Sequence, residues 1–332
     1  MEDRKKDHIE LAFESQTLVK DIDTRFFYEP MLSPHPKNGI PETEFAGKTL
    51  RLPLWVSSMT GGTRLAGTIN RNLARACREF GMGMGLGSCR IILEDDKHLP
   101  DFDMRDIIGN ELPLYANLGI NQLEILIRDR RLHVLRELIE KLRADGLIIH
   151  VNPFQEWFQP EGDRLEKTAL ESILVLMDEA DFPVVVKEVG QGMGYESLRA
   201  LLALPLAALE FAAFGGTNFS KVELMRSDPA AQALFEPLSK VGHDAGQMLG
   251  MVNHILDNEP EKVRCRQLII SGGVRTFLDG YYLVQKSKLP AIYGQASTFL
   301  KYARDDYESL RSFIELQMKG LQLAYSFLRV RE

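Results

Sequence analysis

The segment Leu147-Ile148-Ile149-His150-Val151-Asn152-Pro153-Phe154-Gln155-Glu156 joins an apolar run directly to an imidazole, two amides and a carboxylate. Its first half predicts a strand over 147–151 buried on both faces, because parallel strands read as continuous runs of leucine and β-branched residues. Its second half is a polar turn at the strand's C-terminal end. Alternate positions of a strand share a face, so His150 and Asn152 are expected to point together into an opening. Pro153 then breaks the strand and turns Gln155 and Glu156 toward the same opening.

The same pattern recurs along the chain. Apolar strands are predicted at 54–58, 82–86, 114–118, 184–188, 208–212, 268–270 and 291–293. Helices with an apolar stripe are predicted at 66–80, 132–143, 169–179, 195–204 and 245–256. Nearly every strand runs straight into a chemically loaded turn, such as Met59-Thr60-Gly61-Gly62, Gly87-Ser88-Cys89-Arg90, Lys187-Glu188-Val189-Gly190 or Gly215-Gly216-Thr217. Eight strands with their chemistry on one face predict an α/β chain forming a single (β/α)8 TIM barrel, since an open doubly wound sheet would gather it near one crevice. The barrel is assigned to residues 49–304, with an N-terminal extension over 1–48 and a C-terminal helix over 305–332. The stretch 218–242 is too long for an ordinary connection and is expected to be a partly helical excursion over the barrel mouth.

The chain has 332 residues, 45% hydrophobic and 26% charged, which suits one globular domain. A net charge of −7 argues against a nucleic-acid partner, since phosphate backbones attract basic faces. The first eight residues are charged where a secretory signal needs an apolar run, and no apolar stretch is long enough for a bilayer. A cytoplasmic protein without a membrane partner is expected. Cys77, Cys89 and Cys265 are scattered without metal-ligand spacing and read as free thiols.

Individual residues suggest chemistry. Glu156 is placed to hold a divalent cation together with substrate phosphate. Ser271-Gly272-Gly273-Val274-Arg275 and Gly294-Gln295-Ala296-Ser297 follow the seventh and eighth strands, where barrels often cradle phosphate on backbone N–H groups. Lys187, at a strand end, needs an anionic partner: a phosphate, an electron-rich cofactor ring, or Glu188 beside it. Arg90 suits bidentate phosphate recognition. Arg4, Lys5 and Lys6 by themselves read as solvated surface.

Taken in series, these motifs resemble the FMN-dependent type 2 isopentenyl diphosphate isomerases. The matching segments are Arg4 to Ile9, Ser58 to Gly62, Gly87 to Arg90, Ala116 to Gly119, His150 to Glu156 with Gln159 to Asp163, Val186 to Gly190, Gly215 to Thr217 and Ser271 to Thr276. The resemblance implies an FMN barrel that interconverts isopentenyl and dimethylallyl diphosphate with reduced flavin and Mg2+, NADPH being the reductant and a tetramer or octamer the assembly. It further implies that Ser58, Met59, Thr60, Ser88, Asn117, Lys187 and Thr217 contact the flavin and that Gly272, Gly273, Val274, Arg275, Ala296 and Ser297 hold its phosphate. Arg4, Lys5, Ser88, Arg90, His150, Asn152 and Gln155 would bind substrate, Glu156 would bind Mg2+, and Gln155, His150 and Lys187 would serve catalysis.

Several positions depart from the family: Phe277 stands where a glycine is common, Ser297 where an arginine is common, Ala213-Phe214 where Ala-Gly is common, and Val241-Gly242-His243-Asp244 where many members have Gly-Ile-Pro-Thr. A hydroxy-acid-oxidase-like flavin barrel is one alternative, but it needs a histidine paired with an arginine such as Arg275, and none follows it. A non-catalytic binder of flavin or prenyl diphosphate is the other.

Overall fold

Parallel pairing closes the apolar runs into a barrel. The structure, a computed structural model, describes residues 2–37 and 39–331. Its strands are β1 (Phe26–Tyr28), β2 (Thr43–Phe45), β3 (Lys48–Leu50), β4 (Leu54–Val56), β5 (Gly83–Gly85), β6 (Leu114–Gly119), β7 (Gly146–His150), β8 (Val184–Lys187), β9 (Ala208–Glu210), β10 (Leu268–Ser271), β11 (Ala291–Gln295) and β12 (Leu328–Val330). Strands β4 to β11 pair in chain order and β11 returns to β4, which leaves the barrel no open edge. The register sets Leu147, Ile148 and Ile149 against Val184, Val185 and Val186, and all six side chains are buried. All eight expected barrel strands form, each with ends within two residues of the sequence expectation.

The helices follow their apolar stripes. Arg64–Phe80, for example, buries Ile69, Leu73 and Cys77, starts on the Thr63 hydroxyl, which accepts the Ala66 N–H at 3.1 Å, and stops at Gly81 in the left-handed region. The barrel's N-terminal end is closed by the β2–β3 hairpin. Its Phe45 ring lies 5.4 Å from Trp55, while the Lys48 Nζ ties the hairpin to the Asp145 carboxylate just ahead of β7.

The C-terminal helix is shorter than expected. It runs over Tyr307–Phe327 rather than to residue 332, and Leu328 turns extended at φ −112° and ψ 145°. β12 then pairs antiparallel with β1, Phe26 facing Val330, so the two extensions share a ribbon. The Tyr281 hydroxyl donates to the Leu328 carbonyl at 3.1 Å and fixes the switch from helix to strand. Just before β1, Arg25 reaches the barrel: its Nη1 lies 2.8 Å from the Asp279 carboxylate.

The long excursion folds as helices Phe219–Arg226 and Pro229–Phe235 followed by a 3-10 turn over Glu236–Lys240. It packs on a short helix, Pro153–Phe158, through the Phe158 and Phe235 rings, 5.7 Å apart. That contact sets the excursion beside the barrel mouth, as its length suggested.

Candidate active site

β7 ends at His150. The Val151 N–H still donates to the Lys187 carbonyl at 2.8 Å, but Asn152 leaves the strand at φ −142° and ψ 51°. Pro153 opens the short helix at its first position, where a missing N–H costs nothing. Asn152 therefore ends the strand and stands at the N-cap of the short helix. Asn152 is buried and spends its amide N–H groups on Gln155 Oε1 at 3.2 Å and Glu156 Oε1 at 3.0 Å. Glu156 Oε2 accepts the Asp163 N–H at 3.1 Å, so both carboxylate oxygens are oriented. The Gln155 carbonyl is likewise fixed, while its NH2 has no partner among the described residues.

Two adjoining cavities of about 370 and 180 Å3 occupy the C-terminal face of the barrel. They share Ser58, Lys187, Val189 and Phe219 as walls, and together they have the size of a cofactor pocket. The smaller is lined by Met59, Ser88, Asn117, His150 and Gln155. The larger is lined by Thr217, the turn from Gly272 to Arg275, and Ala296 with Ser297. Thr60 stands just behind, its carbonyl accepting from Asn70. Ser88 also opens onto a groove that holds Arg90, whose guanidinium pairs with Asp163 at 3.1 Å. Arg4 and Lys5 are exposed on the helix Glu2–Leu11, and no hydrogen bond or ion pair among the described residues joins that helix to the barrel. The structure therefore gathers most of the expected site around one opening and leaves the N-terminal pair outside it.

Lys187 is buried, and its Nζ donates to the Glu188 carbonyl oxygen at 2.6 Å. The Glu188 carboxylate is occupied elsewhere, accepting the N–H groups of Gly190, Gln191 and Gly192 at 2.6–2.9 Å, while burial pushes it above the usual carboxylate range. No carboxylate among the described residues pairs with the ammonium, so the salt bridge with Glu188 does not form and the positive charge faces the cavity. Ser58 Oγ and Glu210 Oε2 are buried at the same cavity without partners. Such orphaned groups suit a polar ligand that supplies the missing partners.

His150 is locked by a 2.7 Å contact between Nδ1 and Asn117 Oδ1. An amide oxygen only accepts, so Nδ1 carries the proton and Nε2 is left as an acceptor. Burial of the ring, and then the Lys187 ammonium, lower the imidazole from 6.5 to about 3. The pKa is depressed in the fold, so between pH 6.5 and 3 the unfolded chain takes up a proton that the folded site refuses. Acid weakens the fold through this residue, and its full contribution holds above pH 6.5. In 15N spectra of the ligand-free protein, the His150 ring should keep its neutral signature from pH 8 to pH 5. A titration midpoint between 6 and 7 would refute the enclosed, neutral ring.

The turn after β10 is shaped from behind. Asp279 accepts the N–H groups of Arg275 and Thr276 at 3.1 and 2.8 Å, so the Arg275 backbone donor expected to meet phosphate is already used. The N–H groups of Gly273 and Val274 have no hydrogen bond among the described residues and remain to serve an anion.

Gln295, from the predicted turn after the eighth strand, lines the cavity, and so does Glu210, which was not anticipated. A carboxylate inside the apolar run Ala208-Leu209-Glu210-Phe211-Ala212 was the available signal, because acidic residues are rarely buried without a task.

No protein-family model matches the chain. It is 34% identical over 331 residues to the isopentenyl-diphosphate delta-isomerase of Rickettsia felis, covering 98% of this chain and 92% of that protein. It is 34% identical over 326 residues to the protein of the same name from Synechococcus sp., covering 96% and 90%. Among solved structures, a flavocytochrome b2 mutant with benzoylformate superposes with a TM-score of 0.63 at 15% identity, covering 92% of this chain and 76% of that one. A mandelate oxidase mutant with a monooxide FMN adduct gives 0.57 at 16% identity, covering 91% and 83%. At these identities the two structures share the fold.

Proposed function

The chain belongs to the isopentenyl-diphosphate delta-isomerase family, and on that premise we propose that it interconverts isopentenyl and dimethylallyl diphosphate, using reduced FMN and Mg2+. The observation that carries this reading is Lys187, a buried ammonium without a carboxylate partner, set between a glycine-rich anion cradle and the polar cluster of His150 and Gln155.

The residues present fit FMN. Ser58, Met59, Thr60, Ser88, Asn117, Lys187 and Thr217 would hold the ring and ribityl chain, and the orphaned Ser58 Oγ offers it a hydrogen bond. Gly272, Gly273, Val274, Arg275, Ala296 and Ser297 would hold the phosphate, Arg275 through its side chain because its N–H is spent on Asp279. When bound and reduced by NADPH, FMN supplies the acid–base group for proton transfer to and from the alkene. His150 is neutral and Cys89 is buried with its thiol pushed up to about 12, so neither is a ready acid at neutral pH.

The chain's own groups then orient and insulate. Lys187 favours negative charge in the cavity. Gln155 offers its free NH2 from a carbonyl pinned by Asn152, and the His150 Nε2 lone pair can accept a hydrogen bond from the ligand. Val189 and Phe219 give both cavities an apolar wall.

Among the described residues no group of three His, Cys, Asp or Glu side chains converges. A single oriented carboxylate, Glu156, fits an ion that takes its other ligands from water and the substrate diphosphate, as Mg2+ commonly does. Ser88, Arg90 and Asn152, with Arg4 and Lys5 from the N-terminal helix, would complete the diphosphate contacts. Cytoplasmic residence and a homo-oligomeric state, a tetramer or octamer, belong to the same proposal; no described helix is long and apolar enough to cross a membrane.

The test is direct. Purified protein supplied with FMN, NADPH, Mg2+ and isopentenyl diphosphate without oxygen should form dimethylallyl diphosphate, and omission of NADPH or Mg2+ should abolish most of it. No product with reduced flavin demonstrably bound would overturn the isomerase assignment.

A further inference from the structure

Two primary amides lie buried behind the phosphate turn. Gln295, at the end of β11, is 3% exposed, and Gln317, midway along the helix Tyr307–Phe327, is 5% exposed. Burying an amide costs free energy unless its groups are paired, so apolar side chains would serve better if packing were all that was needed.

The pairing has a direction. Gln295 Nε2 donates to the Val274 carbonyl at 3.1 Å, and Gln317 Nε2 donates to Gln295 Oε1 at 3.1 Å. The Val274 carbonyl can only accept, which forces the Gln295 amide to face it with nitrogen and obliges Gln317 to donate in turn. The peptide between Val274 and Arg275 is thus held at both ends, by Gln295 on its oxygen and by Asp279 on its nitrogen. The free N–H groups of Gly273 and Val274 sit immediately before this anchored peptide.

The same C-terminal helix meets the turn a second time. A Cβ on Gly320 would come within 2.5 Å of the Phe277 ring, so this ring, which replaces the family's common glycine, sits where Gly320 leaves room for it.

We infer that Gln317 is a positioning residue for the cofactor phosphate: through Gln295 it fixes the turn whose backbone N–H groups grip that phosphate. The inference rests on the FMN reading of the cavity. Gln317 touches the cofactor nowhere; it acts through the orientation of one peptide. Its loss should therefore weaken affinity for FMN but not for riboflavin, which has the same ring and no phosphate.

The experiment measures FMN and riboflavin dissociation constants by flavin fluorescence for the full-length wild-type protein, Gln317→Leu and Gln317→Glu. Gln317→Leu should bind FMN about tenfold more weakly, the equivalent of one buried hydrogen bond, with riboflavin affinity unchanged. Gln317→Glu can donate to Gln295 only while its carboxyl is protonated, so its FMN affinity should fall as pH rises, beyond any wild-type trend. Unchanged FMN affinity in both variants, or parallel losses for FMN and riboflavin, would overturn the inference while leaving FMN binding intact. Failure of the wild-type chain to take up FMN would overturn the flavin reading and this inference together. Gln317→Glu keeps a polar group at the site, so its pH profile is decisive if Gln317→Leu does not fold.

Discussion

Lys187→Ala will lower isomerase turnover by about 10²–10³-fold, the range associated with removing one preorganised electrostatic contact from a water-poor site. The ammonium is buried, its one hydrogen bond among the described residues goes to the Glu188 carbonyl, and the Glu188 carboxylate is committed to three backbone N–H groups. No carboxylate among the described residues forms an ion pair with it, so an anion entering the cavity finds the ammonium available. Removing it also destabilises a negatively charged reduced flavin relative to the oxidised form, so the potential of the bound cofactor should become more negative. The scale is about 30 mV for each 1.4 kcal/mol lost from the reduced state in a two-electron couple. Turnover and spectroelectrochemical potential are separate readouts. A variant with wild-type values of both would show that Lys187 is a structural cation and remove it from the site.

Gly272→Ala will cost about 2–4 kcal/mol of stability and abolish tight flavin binding, because steric overlap adds to backbone strain. Gly272 has φ +87°, and a Cβ there would sit 2.1 Å from both the backbone N and O of Ala213. Neither atom can yield cheaply, since the Ala213 N–H holds the Ser271 carbonyl at 2.8 Å and pins the end of β9 to β10. The displaced turn is the proposed phosphate cradle, so urea unfolding and flavin retention should report the damage together. Gly250→Ala is the control: it lies within the helix Ala245–Asn258 with nothing within 4 Å of a new Cβ, and should stabilise by up to ~1 kcal/mol. Equal unfolding midpoints for Gly272→Ala and wild type would contradict the tight turn.

The barrel was readable because parallel strands buried on both faces leave continuous runs such as Val184-Val185-Val186, and because glycines and polar groups follow those runs immediately. The β1–β12 ribbon was not readable. Each strand has three residues and its partner lies some three hundred positions away, so no local period betrays it. The partners of Asn152 were not readable either: two residues beyond β7 the chain is already entering a helix, and its amide turns to Gln155 and Glu156. Gln317 lay hidden for another reason. A lone glutamine in an apolar stripe looks like tolerated polarity, and only its buried partner gives it meaning. The motifs indicated which turns meet ligand, but they were silent on what braces those turns.

One carboxylate, Asp279, belongs to two parts of the molecule at once. It receives the Arg25 guanidinium from the segment leading into β1, and it holds the N–H groups of Arg275 and Thr276 beside the phosphate cradle. Whatever position of Asp279 an anion in the cradle favours, Arg25 must follow. Binding free energies couple reciprocally, so a factor by which cofactor occupancy steadies the N-terminal extension is the same factor by which a steadied extension raises cofactor affinity. Through this one carboxylate the segment leading into β1 is tied to the proposed phosphate cradle.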